Sequence, residues 1–308
     1  MPHDIAPVAL FAFRRADHLE RTLSALAANA LADRSDVIAF ADGPRRQEDL
    51  PGTTAVRQVL DDWRRRAAFR SFRIVARDDN RGLATSIIAG VTQVLAESGR
   101  VVVVEDDLVT SPAFLTFLNK GLDTYADDNH VASIHGYCYP VSEPLPPAFF
   151  LRGADCWGWA TWSRAWSKFD PNGSFSLRRL SERRLQRAFD LDGSRDLIGM
   201  LEQQTIGRND SWAIRWHASA FLAGMLTLYP GRSLVHNIGN DASGTHCDSA
   251  KYFDVLPDQG IPPVDVPVIE SETARRIIAE WFRAHTSLRG RIGMVVRRIQ
   301  RRLCGSSS

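Results

Sequence analysis

The first hundred residues repeat one alternation. A short apolar run ends in a polar turn, and a longer stretch follows whose apolar residues recur at helical spacing. Residues 7–13 (PVALFAF) are too few for a helix and run straight into charge, which reads as a buried strand. Asp17 is then placed to cap a helix carrying Leu19, Leu23, Leu26 and Leu31. Residues 37–41 (VIAFA) make a second strand closed by the turn Asp42-Gly43-Pro44. A helix over 56–68 and a strand over 72–76 come next. Asn80-Arg81-Gly82 breaks the chain before a helix over 84–97, and residues 100–105 (RVVVVE) form the most β-branched run of all. Strands that are apolar throughout are covered on both faces. The pattern therefore predicts an α/β fold, a mostly parallel sheet flanked by helices.

The second half is less regular. It holds Trp157, Trp159, Trp162 and Trp166, an arginine-rich helical stretch over 177–189, and an apolar segment after Asp210-Ser211-Trp212. A Gly/Ser/Asn-rich loop over 237–246 follows. No repeat or low-complexity linker divides the chain, so one integrated domain over 1–272 is expected. Its first half would cover about 1–125 and its second about 126–272, with a basic tail over 273–308.

Composition changes this picture little. At 44% hydrophobic and 24% charged, the chain of 308 residues falls among ordinary globular proteins, which excludes disordered and fibrous classes. Charge is more informative in its distribution. From Ala274 onward there are nine arginines and one acid, a net +8 against +2 for the whole chain, leaving −6 for the body. That body offers no basic surface for nucleic acid. The tail's apolar positions (Ile277, Ile278, Trp281, Phe282, then Ile292, Val295, Val296, Ile299, Leu303) suit an amphipathic helix that can lie on an anionic membrane; a solvated, partly packed helix is the alternative. Four scattered cysteines form no CxxC pair and read as reduced. Without a signal-peptide pattern or an apolar span of about 18 residues, the chain is expected in the cytoplasm, soluble or peripheral on the inner face of the membrane.

Ligands of open α/β sheets bind beyond the carboxyl ends of the strands. Those ends here are Arg14-Arg15, Asp42-Gly43, Asp78-Asp79-Asn80-Arg81 and Glu105-Asp106-Asp107. Arginines such as Arg14 and Arg81 pair with phosphates, and hard carboxylate oxygens hold Mn2+ or Mg2+. The acidic triplet stands out, because adjacent carboxylates repel unless a cation neutralises them. An acidic turn before a helix opened by Ser111-Pro112 is the plainer alternative. No GxxxxGK[ST] and no GxGxxG follows the first strand, so neither a P-loop nor a dinucleotide site is supported.

Residues 101–117 (VVVVEDDLVTSPAFLTF) resemble the metal-binding segment of the N-acetylglucosaminyltransferase I family, glycosyltransferases of the GT-A fold. Further segments match in order: FAFRRADHLERTL, FADGP, CWGWATWSRAW and NDSWAIRW. The chain is also similar to bacterial sugar transferases with the same order and a closing segment like NIGNDASGTH (237–246). The similarity spans about residues 7 to 247.

The resemblance implies a GT-A, Rossmann-like fold and transfer of a sugar from a nucleotide-diphosphate donor, with UDP favoured, to a glycan or lipid-linked glycan. In it Asp107 coordinates the metal, Glu105 and Asp106 lie near the ribose and sugar, Asp42 accepts from the nucleoside, and Arg14 approaches the nucleotide or diphosphate. Asp210 is the general base of an inverting reaction, although the family places two acids directly before tryptophan and this chain reads Asn209-Asp210-Ser211-Trp212. A helix N-cap is the structural alternative for Asp210. His246 would be a second metal ligand or touch the diphosphate, with an ordinary loop histidine the alternative, and the loop before it could close over the donor or be simply a flexible connection. Trp157, Trp159 and Trp162 could stack on a sugar, though core packing suits at least two of the four tryptophans. Asp155 and Arg152 are further polar candidates. The competing functions are a sugar nucleotidyltransferase, whose glycine-rich loop is missing after the first strand, and a non-catalytic carbohydrate-binding relative.

Overall fold

The computed structural model describes residues 5–239 and 260–285. Three βα units open the fold: β1 (Val8–Ala12) and α1 (Ala16–Ala27), β2 (Asp36–Ala41) and α2 (Leu50–Arg66), then β3 (Ser71–Ala76) and α3 (Leu83–Ser98). β4 (Arg100–Glu105) follows, then the short β5 (Leu108–Thr110) and α4 (Phe114–Thr124). The second half supplies β6 (Val131–His135), β7 (Ala148–Arg152), β8 (Trp159–Trp162), α5 (Ser163–Trp166), α6 (Gly173–Glu182), α7 (Gln186–Phe189), α8 (Leu197–Thr205), α9 (Trp212–Leu222), β9 (Leu226–Pro230), β10 (Val235–Asn237) and α10 (Glu272–His285).

Eight strands form one sheet in the order β3-β2-β1-β4-β8-β6-β9-β7, and β5 pairs with β10 apart from it. From β3 to β4 every pairing is parallel, as the apolar strands predicted. β8 then runs antiparallel between β4 and β6, β9 is parallel to β6, and β7 closes the far edge antiparallel to β9. This mixed α/β sheet, mostly parallel and flanked by helices, is consistent with a GT-A-like, Rossmann-type fold.

Strand alternation assigns the faces. Phe11 and Glu105 are register partners on β1 and β4, and Val103 is the partner of Trp159 on β8. Their side chains share the face covered by α3 and α9. Phe11 lies against Gly90 of α3, and Trp159 stacks on Trp212 of α9 at 5.5 Å between ring centroids. α1 and α4 cover the other face, tied together by Asn29, whose amide donates to Thr110 Oγ1 (3.1 Å) and accepts from the Leu115 N–H (2.9 Å).

Several local details differ from the sequence pattern. α1 begins at Ala16 with Arg15 as the residue before it, so Asp17 lies in the first turn and does not cap. α4 begins at Phe114, two residues beyond Pro112. The arginine-rich stretch breaks into α6 and α7. Trp159, Trp162 and Trp166 are all buried, and Trp159 packs against Trp166, Trp212 and Trp216 together.

The basic C-terminal segment begins within the folded body. α10 buries Ile277, Ile278, Trp281 and Phe282, the last 5.0 Å from the Tyr139 ring. Arg275 pairs with Asp192 (2.7 Å) and Arg276 with Glu143 (2.7 Å). Residues 286–308, where most of the tail's arginines fall, lie outside the described residues. None of the described helices is long and apolar enough to cross a membrane.

The tryptophan cluster gives a stability test. Trp159 is fully buried, and its indole N–H finds no acceptor among the described residues. Trp159→Ala should cost about 3–5 kcal/mol in urea unfolding. Trp159→Phe, which keeps a ring and removes the unpartnered N–H, should cost clearly less; equal losses would contradict the packing described.

Candidate active site

The ends of β1 to β4 meet on one rim. The loops after β2 and β3 touch at Gly43, whose N–H donates to the Asp79 carbonyl at 3.2 Å. Only glycine fits there, since a Cβ would stand 2.0 Å from the Asp78 carbonyl oxygen. Asp42 is buried beside this crossing. It accepts from Arg77 Nη1 (3.0 Å), Ser86 Oγ (2.8 Å) and the Arg81 N–H (3.2 Å). Both carboxylate oxygens thus already bind the rim together. The Arg81 side chain is exposed and enters this network only through its backbone. Arg14 pairs with Asp49 at 2.8 Å, half exposed, and Arg14 and Arg45 flank the Phe13 ring at 5.8 and 5.3 Å.

Glu105, Asp106 and Asp107 stand together where β4 leaves the sheet. Burial pushes the Glu105 carboxyl up to about 8, reinforced by Asp107 and then Asp106. Burial also lifts Asp106, to about 6, against the opposing pull of Arg15 and with Asp107 adding to the rise. Arg15 is the counter-charge: its Nη2 donates to Asp106 Oδ1 and, at 2.8 Å, to Asp107 Oδ2. Burial disfavours the charged guanidinium, but the two carboxylates outweigh it and hold Arg15 above its ordinary pKa.

The chain returns to this point from β10. Pairing of Asn237 with Leu108 carries the next residues over the triplet, and the Ile238 N–H donates to the Asp107 carbonyl at 2.9 Å. Gly239 passes so close that a Cβ would lie 2.2 Å from Asp107 Oδ2. The glycine-rich loop proposed to cover the donor therefore starts against Asp107. Its remainder, with His246, lies outside the described residues.

Asp210 stands just ahead of α9. Ser211, not Asp210, is the N-cap, accepting from the Ile214 N–H at 3.3 Å. The Asp210 carboxylate is 67% exposed and receives Arg215 Nη2 at 3.0 Å. Trp212, two residues on, stacks against Trp159, the register partner of Val103, so α9 starts over the face of β4 to which Glu105 belongs. Trp157 is the one tryptophan of its segment left partly exposed, with its ring 4.7 Å from Tyr137. Asp155 accepts from Tyr139 Oη at 2.6 Å and lines a cavity of about 40 Å3 with Arg195, His217, Tyr229 and Glu270. Burial lowers His217 to about 4 there. Arg152 is remote from the triplet. Its partner Leu226 begins β9 at the opposite end of the sheet, and its guanidinium donates to the Phe221 carbonyl at 3.0 Å.

Arg15 is the residue that sequence reasoning passed over in favour of Arg14. Placing the helix start at Asp17 left both arginines in a loop. With the start at Ala16, Arg15 is fixed by the helix, with its carbonyl accepting from the Leu19 N–H at 3.0 Å. Arg77 and Ser86 likewise carry no local signal that links them to Asp42.

Among the described residues no three His, Cys, Asp or Glu side chains converge as a metal cage. The chemistry of the triplet does fit a divalent ion of the Mg2+ type, which uses one or two carboxylates and takes its other ligands from substrate phosphates and water. Asp107 is 14% exposed, and its Oδ1 accepts no hydrogen bond from the described residues.

No protein-family model and no curated protein sequence matches the chain. Solved structures similar to it include the crystal structure of S. aureus TarS 1-349, at a TM-score of 0.33 and 15% sequence identity, over 49% of this chain and 41% of that one. The chain thus spans less than half of that structure's length.

The raised Glu105 fixes the sign of a pH effect. Between its ordinary 4.5 and about 8 the folded chain keeps a proton that the unfolded chain has lost, so this group's contribution to stability falls as pH rises through that window. Glu105→Gln should therefore gain on the wild type from pH 5 to pH 8, by about 1–3 kcal/mol in urea titrations. A difference independent of pH would contradict the burial of this carboxyl.

Proposed function

We propose that the chain is a glycosyltransferase that moves a sugar from a nucleotide-diphosphate donor, with UDP the favoured nucleotide, to a glycan or lipid-linked glycan. The observation that carries this reading is the acidic triplet at the carboxyl end of β4, gathered with the ends of β1 to β3 on one rim and braced by Arg15. Such a rim suits a ligand with a diphosphate and a polar sugar.

In this reading Asp107 and His246 would hold Mn2+ or Mg2+, which when bound neutralises charge developing on the departing diphosphate. Glu105 and Asp106 would lie near the ribose and the sugar. Arg14 and Arg81 are exposed cations near the mouth, and Asp42 would accept hydrogen bonds from the nucleoside. Asp210 accepts the proton of the acceptor hydroxyl as its oxygen bonds to the sugar's anomeric carbon. The bond to the diphosphate breaks on the opposite face, its electron pair leaving with the phosphate, and the anomeric centre is inverted. Arg215 orients Asp210 for this step.

Release of nucleoside diphosphate from a panel of nucleotide sugars, with Mn2+ and a glycan extract as acceptor source, tests the assignment. One donor should turn over. Asp210→Asn should lower the rate by about 10²–10⁴-fold with donor affinity retained, whereas Asp107→Ala should lose donor affinity as well. Turnover by Asp210→Asn at the wild-type rate would remove Asp210 as the base.

A further inference from the structure

We propose that Arg15 makes divalent-metal binding at the triplet conditional on the diphosphate, an inference that rests on the donor-site reading above. Its guanidinium lies on two carboxylates at once, Asp106 Oδ1 and Asp107 Oδ2, through a single nitrogen. A dication at Asp107 would meet that positive charge within the same cluster.

Two features keep the guanidinium in place. Arg15 directly precedes α1, with its carbonyl bonded into the first turn, and its side chain is only 20% exposed. Gly239 closes over it, since a Cβ at that residue would stand 3.0 Å from Arg15 Nη1. In so sheltered a place solvent and salt screen like charges less than at the open surface. The carboxylates of Asp106 and Asp107 carry two negative charges, and Arg15 already offsets one. A dication added alone meets that guanidinium with part of the anionic charge already offset, whereas a diphosphate added with it supplies further anionic charge. Metal and diphosphate should thus bind with strong mutual reinforcement, and Arg15 sets its size. By linkage the diphosphate raises the affinity for metal by the factor with which metal raises the affinity for diphosphate.

The test is Mn2+ binding to the full chain, followed by electron paramagnetic resonance of the free ion, with and without UDP. Wild type should bind Mn2+ weakly alone, and UDP should tighten it by about tenfold or more. Arg15→Gln should bind Mn2+ alone about tenfold more tightly than wild type, with the effect of UDP reduced to a few-fold. Arg15→Lys keeps the charge and should keep weak Mn2+ binding, which separates charge from a merely structural role. Unchanged or weaker Mn2+ binding by folded Arg15→Gln overturns the inference. Should that variant not fold, equal Mn2+ affinity with and without bound UDP in the wild type overturns it equally. Either result leaves the donor site standing. If UDP does not bind the wild type even with Mn2+, the UDP donor-site reading itself fails.

Discussion

Three carboxyl groups in a row, at the end of a strand buried on both faces, repel one another as they ionise, with little water to screen them. The surrounding elements are arranged around that repulsion. β4 is pinned between β1 and β8, so Glu105 cannot retreat from the rim. Arg15, set by the first turn of α1, answers Asp106 and Asp107, and the Thr22 hydroxyl of the same helix donates to the Asp106 carbonyl at 2.8 Å. On the far side, β10 returns the chain so that Ile238 and Gly239 rest on Asp107. Elements more than a hundred residues apart are held together by one crowded set of charges.

The second half of the sheet has a different organising centre. Trp159 enters β8 fully buried, and Trp166, Trp212 and Trp216 gather on it. Aromatic pairs of this kind add about 0.5–1.5 kcal/mol each beyond the area they bury. Trp212 fixes the start of α9, just after Asp210, against β8, the sheet neighbour of the strand that carries the triplet. The acid proposed as base and the acids proposed for the donor thus belong to separate halves joined by β4 and β8. A coupling of this kind suits a reaction between two substrates.

The first half was legible in the sequence because its strands are continuously apolar and its helices amphipathic, and both signals are local. Residues 100–105 could hardly be anything but a buried strand, but no local signal tells that the carboxyls at its end stay covered, as Asp106 does. The second half was not legible in the same way. WATW at 159–162 has no alternation that announces an antiparallel strand inserted between two distant partners, and its neighbours in the sheet arrive from residues 100–105 and 131–135. Arg15 and Arg14 are indistinguishable by type, and only the residue at which α1 starts decides which one turns inward. Asp42 was marked from its turn, but its partners Arg77 and Ser86 are contributed by β3's end and α3, which no local pattern connects to it.

Calorimetric titration of the wild-type chain with a panel of nucleoside diphosphates, with and without Mn2+, tests the central claim most directly. The account predicts that one diphosphate binds and that it does so only with the metal present. Absence of binding by every member, to protein shown to be folded, would contradict the donor site and favour a carbohydrate-binding relative of the fold.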